Sequence, residues 1–163
     1  MEAHSSKYKE NLENELKLYD MLKTLVQFDH PYIATCLNNI GVSYSNLNEN
    51  EKSLEYHTKA YEMRLRLYQT LDHPDLALSL FNIAVCYTNL NDFEKSLDHH
   101  MQAYEIRKKL YADDHPDLVA SLLNIKSNYE KLNNYENSLK YLSKVINIIF
   151  PLTNFSNSFL FSN

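Results

Sequence analysis

Apolar residues return every three or four positions along most of the chain, with polar residues filling the intervals. From Pro31 to Leu47 the apolar set is Ile33, Leu37, Ile40, Tyr44 and Leu47, the stripe of an amphipathic helix. A second stripe, from about Glu51 to Tyr68, holds Leu54, Ala60, Tyr61 and Leu65. Two antiparallel helices are predicted, an A helix and a B helix, joined by the turn Leu47-Asn48-Glu49-Asn50. Asparagine suits such a turn because it tolerates the left-handed backbone that closes a helix. Ser53 and Ala60 are small where the two helices of a hairpin approach closely, as are Ser96 and Ala103.

The pattern repeats. His30-Pro31-Tyr32, His73-Pro74-Asp75 and His115-Pro116-Asp117 lie 43 and 42 residues apart. The same steps connect Leu37/Leu80/Leu122, Asn39/Asn82/Asn124, Tyr44/Tyr87/Tyr129 and Asn48/Asn91/Asn133. Each His-Pro marks a helix start. Proline fits the first helical position because its missing N–H has no partner there anyway, and the histidine falls at the N-cap. His-Pro-Asp is also a chaperone J-domain tripeptide, but recurrence at the repeat period favours the helix-start reading. Counting back 85 residues from the third copy places Tyr8 on Phe93, Tyr19 on Tyr104 and Leu25 on Leu110. The expected organisation is therefore a disordered N-terminus over residues 1–7 and a half repeat of B type over 8–29. Repeats follow over 30–72, 73–114 and 115–149, then a non-repeat tail over 150–163. Units of this length stack, since each hairpin alone leaves an apolar face bare.

These residues resemble the tetratricopeptide repeat in its long form of about 42 residues, typical of kinesin light chains. The phrases that carry the resemblance are His73-Pro74-Asp75, Phe81-Asn82-Ile83-Ala84, Tyr87 and Phe93-Glu94-Lys95-Ser96, with their counterparts in the first copy. The resemblance spans about residues 8 to 149 and implies an all-α, right-handed superhelical solenoid of antiparallel hairpins. It further implies a non-enzymatic protein–protein interaction module that holds an extended peptide against its A helices, which line the concave groove. Two other readings of the same resemblance are a fragment of a kinesin-light-chain-like cargo adaptor and a regulatory segment of a larger enzyme or signalling ATPase. Lys126 departs from the family pattern, standing where Gly41 and Ala84 supply a small residue, and the pattern stops past Phe150.

Composition narrows the function. A single glycine among 163 residues excludes phosphate-binding glycine loops, and a net charge of −5 argues against nucleic acid or an anionic membrane as partner. Cys36 and Cys86 match no metal spacing and read as buried reduced thiols, which suits a cytoplasmic protein. His99 and His100 are adjacent and point about 100° apart on a helix, so they do not converge on a metal. No catalytic constellation, metal site or cofactor is expected. The exposed ends of the solenoid are candidates for self-association.

Residues 31–46 carry no charge and residues 74–89 only Asp75, so the expected groove is one of amides, hydroxyls and apolar groups. The inward positions implied by the resemblance are Asn38, Asn39, Val42, Ser45 and Asn46 in the first copy. The second copy gives Phe81, Asn82, Val85, Thr88 and Asn89, and the third Leu123, Asn124, Ser127 and Lys131. Asn39, Asn82 and Asn124 form a ladder that either grips a peptide backbone or bonds a neighbouring helix. The basic clamp of chaperone-binding relatives is absent: Asn38, Ala120 and Asn124 occupy its places. Only Lys126 and Lys131 offer positive charge for an acidic peptide.

Overall fold

The computed structural model describes residues 2–26 and 28–150, all of whose regular structure is helical. Seven helices follow one another: α1 (Glu2–Leu25), α2 (Pro31–Asn46), α3 (Asn50–Tyr68), α4 (Pro74–Asn89), α5 (Phe93–Leu110), α6 (Pro116–Lys131) and α7 (Tyr135–Ile149). Each packs chiefly on its sequence neighbours, giving an all-α repeat solenoid of three hairpins preceded by one helix. Helix α1 begins at Glu2, within the stretch expected to form a disordered arm. The tail of the repeat scheme lies outside the described residues from Pro151 onward.

Local chemistry explains the boundaries. His30, His73 and His115 all have extended backbone, and each Nδ1 accepts from the N–H two residues on, at 3.2, 3.1 and 3.1 Å. A ring nitrogen thus satisfies one of the donors that a helix start leaves open. Tyr68 stacks on His73 and Tyr111 on His115, with ring centroids 3.6 and 4.0 Å apart, so the rings that cap the second and third A helices are held in place. At the opposite ends Asn48, Asn91 and Asn133 adopt φ of 60°, 60° and 56°. Left-handed backbone costs other L-residues about 1–2 kcal/mol. Asn91→Ala should therefore lower unfolding stability by about 1 kcal/mol while Asn91→Gly holds it, read from urea melts. Equal stability of the two variants would show that the turn relaxes.

Small residues form the hairpin seams. Ser53, Ala60, Ser96 and Ala103 are fully buried, and Ser53 Oγ donates to the Gly41 carbonyl at 2.8 Å. Gly41 itself has no room to spare: a methyl group there would sit 2.8–2.9 Å from three atoms of the His57 ring. In the third hairpin Leu142 stands in the repeat position of His57 and His100. Lys126 there turns its ammonium to Glu130 at 2.7 Å, as a lysine stem does when only its head can reach water.

Helix α1 packs on the first hairpin as a lone B helix. Tyr19, Leu22 and Val26 close over Ile33, Leu37 and Ala60. Leu25, which the repeat alignment counts among the contacts, is instead 75% exposed, and Val26 takes its place. Leu25 and Val26 are about 100° apart around the helix axis, and the packed face runs through Tyr19, Leu22 and Val26. No helix among the described residues is long and apolar enough to cross a membrane.

Candidate functional site

Each A helix turns one stripe away from its packing partners. The three stripes are Tyr32-Thr35-Asn39-Val42-Asn46, Asp75-Leu78-Asn82-Val85-Asn89 and Asp117-Ala120-Asn124-Ser127-Lys131. Residues within a stripe lie three or four apart and are half-buried or exposed. Stacking sets the stripes side by side, with α2 and α4 in direct contact through their asparagines. Val42 and Leu78 are 41% and 39% exposed, so the open face offers methyl groups between amides. Within the stripes charge appears only at the ends, at Asp75, Asp117 and Lys131, and the Glu15 carboxylate of α1 adjoins Asn39. Asp75 is engaged as well, because its carboxylate accepts from the Tyr68 hydroxyl. Burial and that bond push the Tyr68 phenol up to about 12.

The asparagine ladder is bonded within the protein. Asn39 Nδ2 donates to Glu15 Oε1 at 3.2 Å, Asn82 Nδ2 to Asn38 Oδ1 at 2.9 Å, and Asn124 Nδ2 to its own helix at the Ala120 carbonyl, 2.9 Å. Two of the three bonds cross between helices. Among the described residues the amide oxygens of Asn39, Asn82 and Asn124 accept no hydrogen bond, and all three side chains are half-buried.

Several candidate positions fall elsewhere. Asn38 is buried, its Oδ1 shared by Asn82 and by His57 Nδ1 at 3.2 Å. Phe81 is wedged in the stack, edge-on to His100 at 5.1 Å with the Arg107 guanidinium 4.7 Å from its ring centre. Thr88 directs its hydroxyl to the Ala84 carbonyl and Ser96. Leu123 occupies the position of Asn38 and Phe81 one repeat later, and is 44% exposed on the end of the last hairpin. Asn39, Val42, Asn46, Asn82, Val85, Asn89, Asn124, Ser127 and Lys131 share the open face, with Ser45 half-buried at its border. Thr35, Leu78 and Ala120 belong to it too. Their signal was present in the sequence, since each lies four residues before a ladder asparagine on the same helix face.

The repeat also builds a buried clasp that spacing alone reveals only in hindsight. Arg64 Nη1 donates to the Asp75 carbonyl at 3.1 Å and to Ser79 Oγ at 2.6 Å. Arg107 does the same to Asp117 at 3.2 Å and Ser121 at 2.8 Å. Each arginine ties a B helix to the first turns of the next A helix. Burial holds the Arg107 guanidinium below its ordinary pKa. Cys36 and Cys86 are buried free thiols, both pushed up chiefly by that burial. Among the described residues no group of three His, Cys, Asp or Glu side chains is placed to hold a metal.

A family model of the tetratricopeptide repeat matches residues 39–109 and again residues 75–149. Among solved structures the chain superposes on TPR-like repeats of the kinesin light chain type from Podosopora anserina, with a TM-score of 0.80 at 15% identity. That match covers 88% of this chain and 67% of the other. BtubC (BKLC) from P. vanneervenii superposes with a TM-score of 0.83 at 17% identity, covering 92% and 59%. A Rap protein complexed with Competence and Sporulation Factor gives 0.74 at 15%, covering 89% and 38%. Identities this low show the shared fold alone. No curated protein sequence matches the chain.

Proposed function

Because the chain belongs to the tetratricopeptide repeat family, we propose that it is a non-enzymatic protein–protein interaction module that holds an extended, largely neutral peptide along the open face of α2, α4 and α6. The observation that carries this reading is the in-register face of half-buried amides with Val42, Leu78 and Val85 between them. Peptide N–H groups bond the oxygens of Asn39, Asn82 and Asn124, which their donor bonds already orient, so little side-chain entropy remains to be lost. Apolar side chains of the peptide fill the gaps over the valines and Leu78. Attraction at long range is small because the face carries so little charge, and affinity changes only weakly between low and high salt.

Selection of neutral peptides from a displayed library against the full chain tests this. Asn82→Ala should weaken the selected peptides by about 1–3 kcal/mol. It should also lower melting stability by about 1 kcal/mol, since Asn38 loses a partner. Val42→Lys separates the two effects: it places a charge on an exposed position and should cut binding at least tenfold with melting almost unchanged. The reading fails if no peptide is recovered, or if both variants bind as the parent does.

A further inference from the structure

The B-helix side of the solenoid carries one furrow at each repeat junction, and the three differ in how they are closed. Asp29, Asp72 and Asp114 occupy one repeat position, in the loop before each His-Pro. Asp29 pairs with Arg66, and Asp72 with Lys109 at 2.9 Å. These pairs latch the loop to the end of the following B helix, across furrows of 250 and 380 Å³. At the third junction the residue in register with Arg66 and Lys109 is Pro151, which has no charge to offer. Among the described residues Asp114 makes no ion pair, and the furrow beside it measures 570 Å³.

This third furrow has an apolar floor and charged walls. Tyr104, Leu118, Leu122 and Ile148 form the floor, while Lys108 and Lys144 stand on α5 and α7 and Asp113 and Asp114 at the loop. Neither lysine has a carboxylate partner among the described residues. Lys144 lies over the Tyr141 ring, its ammonium 4.5 Å from the centre.

We propose that the third furrow is a second docking site, for a peptide segment of a partner protein that carries an apolar side chain between a basic and an acidic residue. The basic residue replaces, in trans, the cation that Arg66 and Lys109 supply at the first two junctions. The acidic residue meets Lys108 and Lys144, and the apolar side chain covers the floor. A cavity of this volume is within the range that buries a small ligand or an anchoring side chain. Residues 151–163 include no charged side chain that could pair with Asp114, Lys108 or Lys144. The site is separate from the open face of the A helices and does not rest on that reading.

The test uses the full chain and five labelled synthetic peptides of twelve residues with a central leucine. Their flanks are basic–acidic, acidic–basic, all basic, all acidic and all neutral. One mixed-charge peptide should bind at least tenfold more tightly than the neutral one in fluorescence anisotropy. Asp114→Lys and Lys108→Glu, both at exposed positions, should each remove that advantage, whereas Val42→Lys should leave it intact. A photocrosslinker in place of Asn147, which also lines the furrow, should then capture the mixed-charge peptide. Five equal affinities overturn the proposal, as does an advantage that Val42→Lys abolishes and the charge reversals do not. Capture of residues 151–163 or of a second copy, in preference to the peptide, overturns it as well.

Discussion

Acidification from pH 7 to pH 4 should remove several kcal/mol of stability, the larger part of it above the range in which carboxylates titrate. His57 and His100 are 2% and 0% exposed, and both are held down to about 4 from an ordinary value of 6.5. Burial is the main cause in each. The Arg64 charge adds to it at His57, and Arg107 and then His99 at His100. Among the described residues neither ring has a carboxylate partner, His57 has its hydrogen bond with Asn38, and both nitrogens of His100 are buried without a partner. Between pH 6.5 and 4 the unfolded chain therefore binds protons that the folded chain refuses. Stability rises with pH across that window and falls as the pH is lowered through it, by about 1.4 kcal/mol per pH unit for each histidine. Over the whole window the two together come to about 6 kcal/mol, a large share of what a domain of this size possesses. His100→Leu, which installs the type of residue found at Leu142, should roughly halve the slope in urea melts between pH 6 and 4.5. A parent protein whose stability is flat over that range would sink the idea.

Arg107→Ala should cost about 2–4 kcal/mol, from the hydrogen bonds of a charged donor and the volume left behind. Ser121 Oγ loses its donor, the Asp117 carbonyl loses one of two side-chain donors and keeps Ser121 Oγ, Phe81 loses the guanidinium on its ring, and the side-chain volume is left empty. Arg107→Met should cost much less, because it keeps the volume and relieves the desolvation of the cation. The clasp joins the second hairpin to the third, and stacked repeats depend on such interfaces for cooperativity. In the alanine variant α6 and α7 should unfold ahead of the rest, splitting the denaturation curve into two steps. A single transition displaced by less than about 0.5 kcal/mol, the scatter of an ordinary surface substitution, would show that the clasp contributes little.

Much of the fold was legible in the residues. The helical period, the prolines at the first helical position and the histidines before them fixed six helix starts and stops to within a residue or two. Asn48, Asn91 and Asn133 marked the turns through the one conformation that favours them. The site was legible only in part. A stripe can be read from spacing, and Val42, Asn82 and Ser127 do face outward. Spacing does not say how far a neighbouring helix overlaps the edge of a stripe, which is why Asn38 and Phe81 fell inside the stack.

By itself the sequence determined what depends on contacts within about four residues: which segments are helical, where each begins and ends, and that the unit recurs. Tertiary structure alone decided which neighbour each side chain meets. Asn38 and Asn39 are adjacent in the chain and 100° apart on the helix. The angle at which α4 lies on α2 buries one against His57 and Asn82 and leaves the other half-buried. The packing of α3 against both helices brings Arg64 onto Ser79 and the His57 ring onto Gly41. The register between helices that sets it comes from the summed packing of many side chains, and no local pattern encodes it.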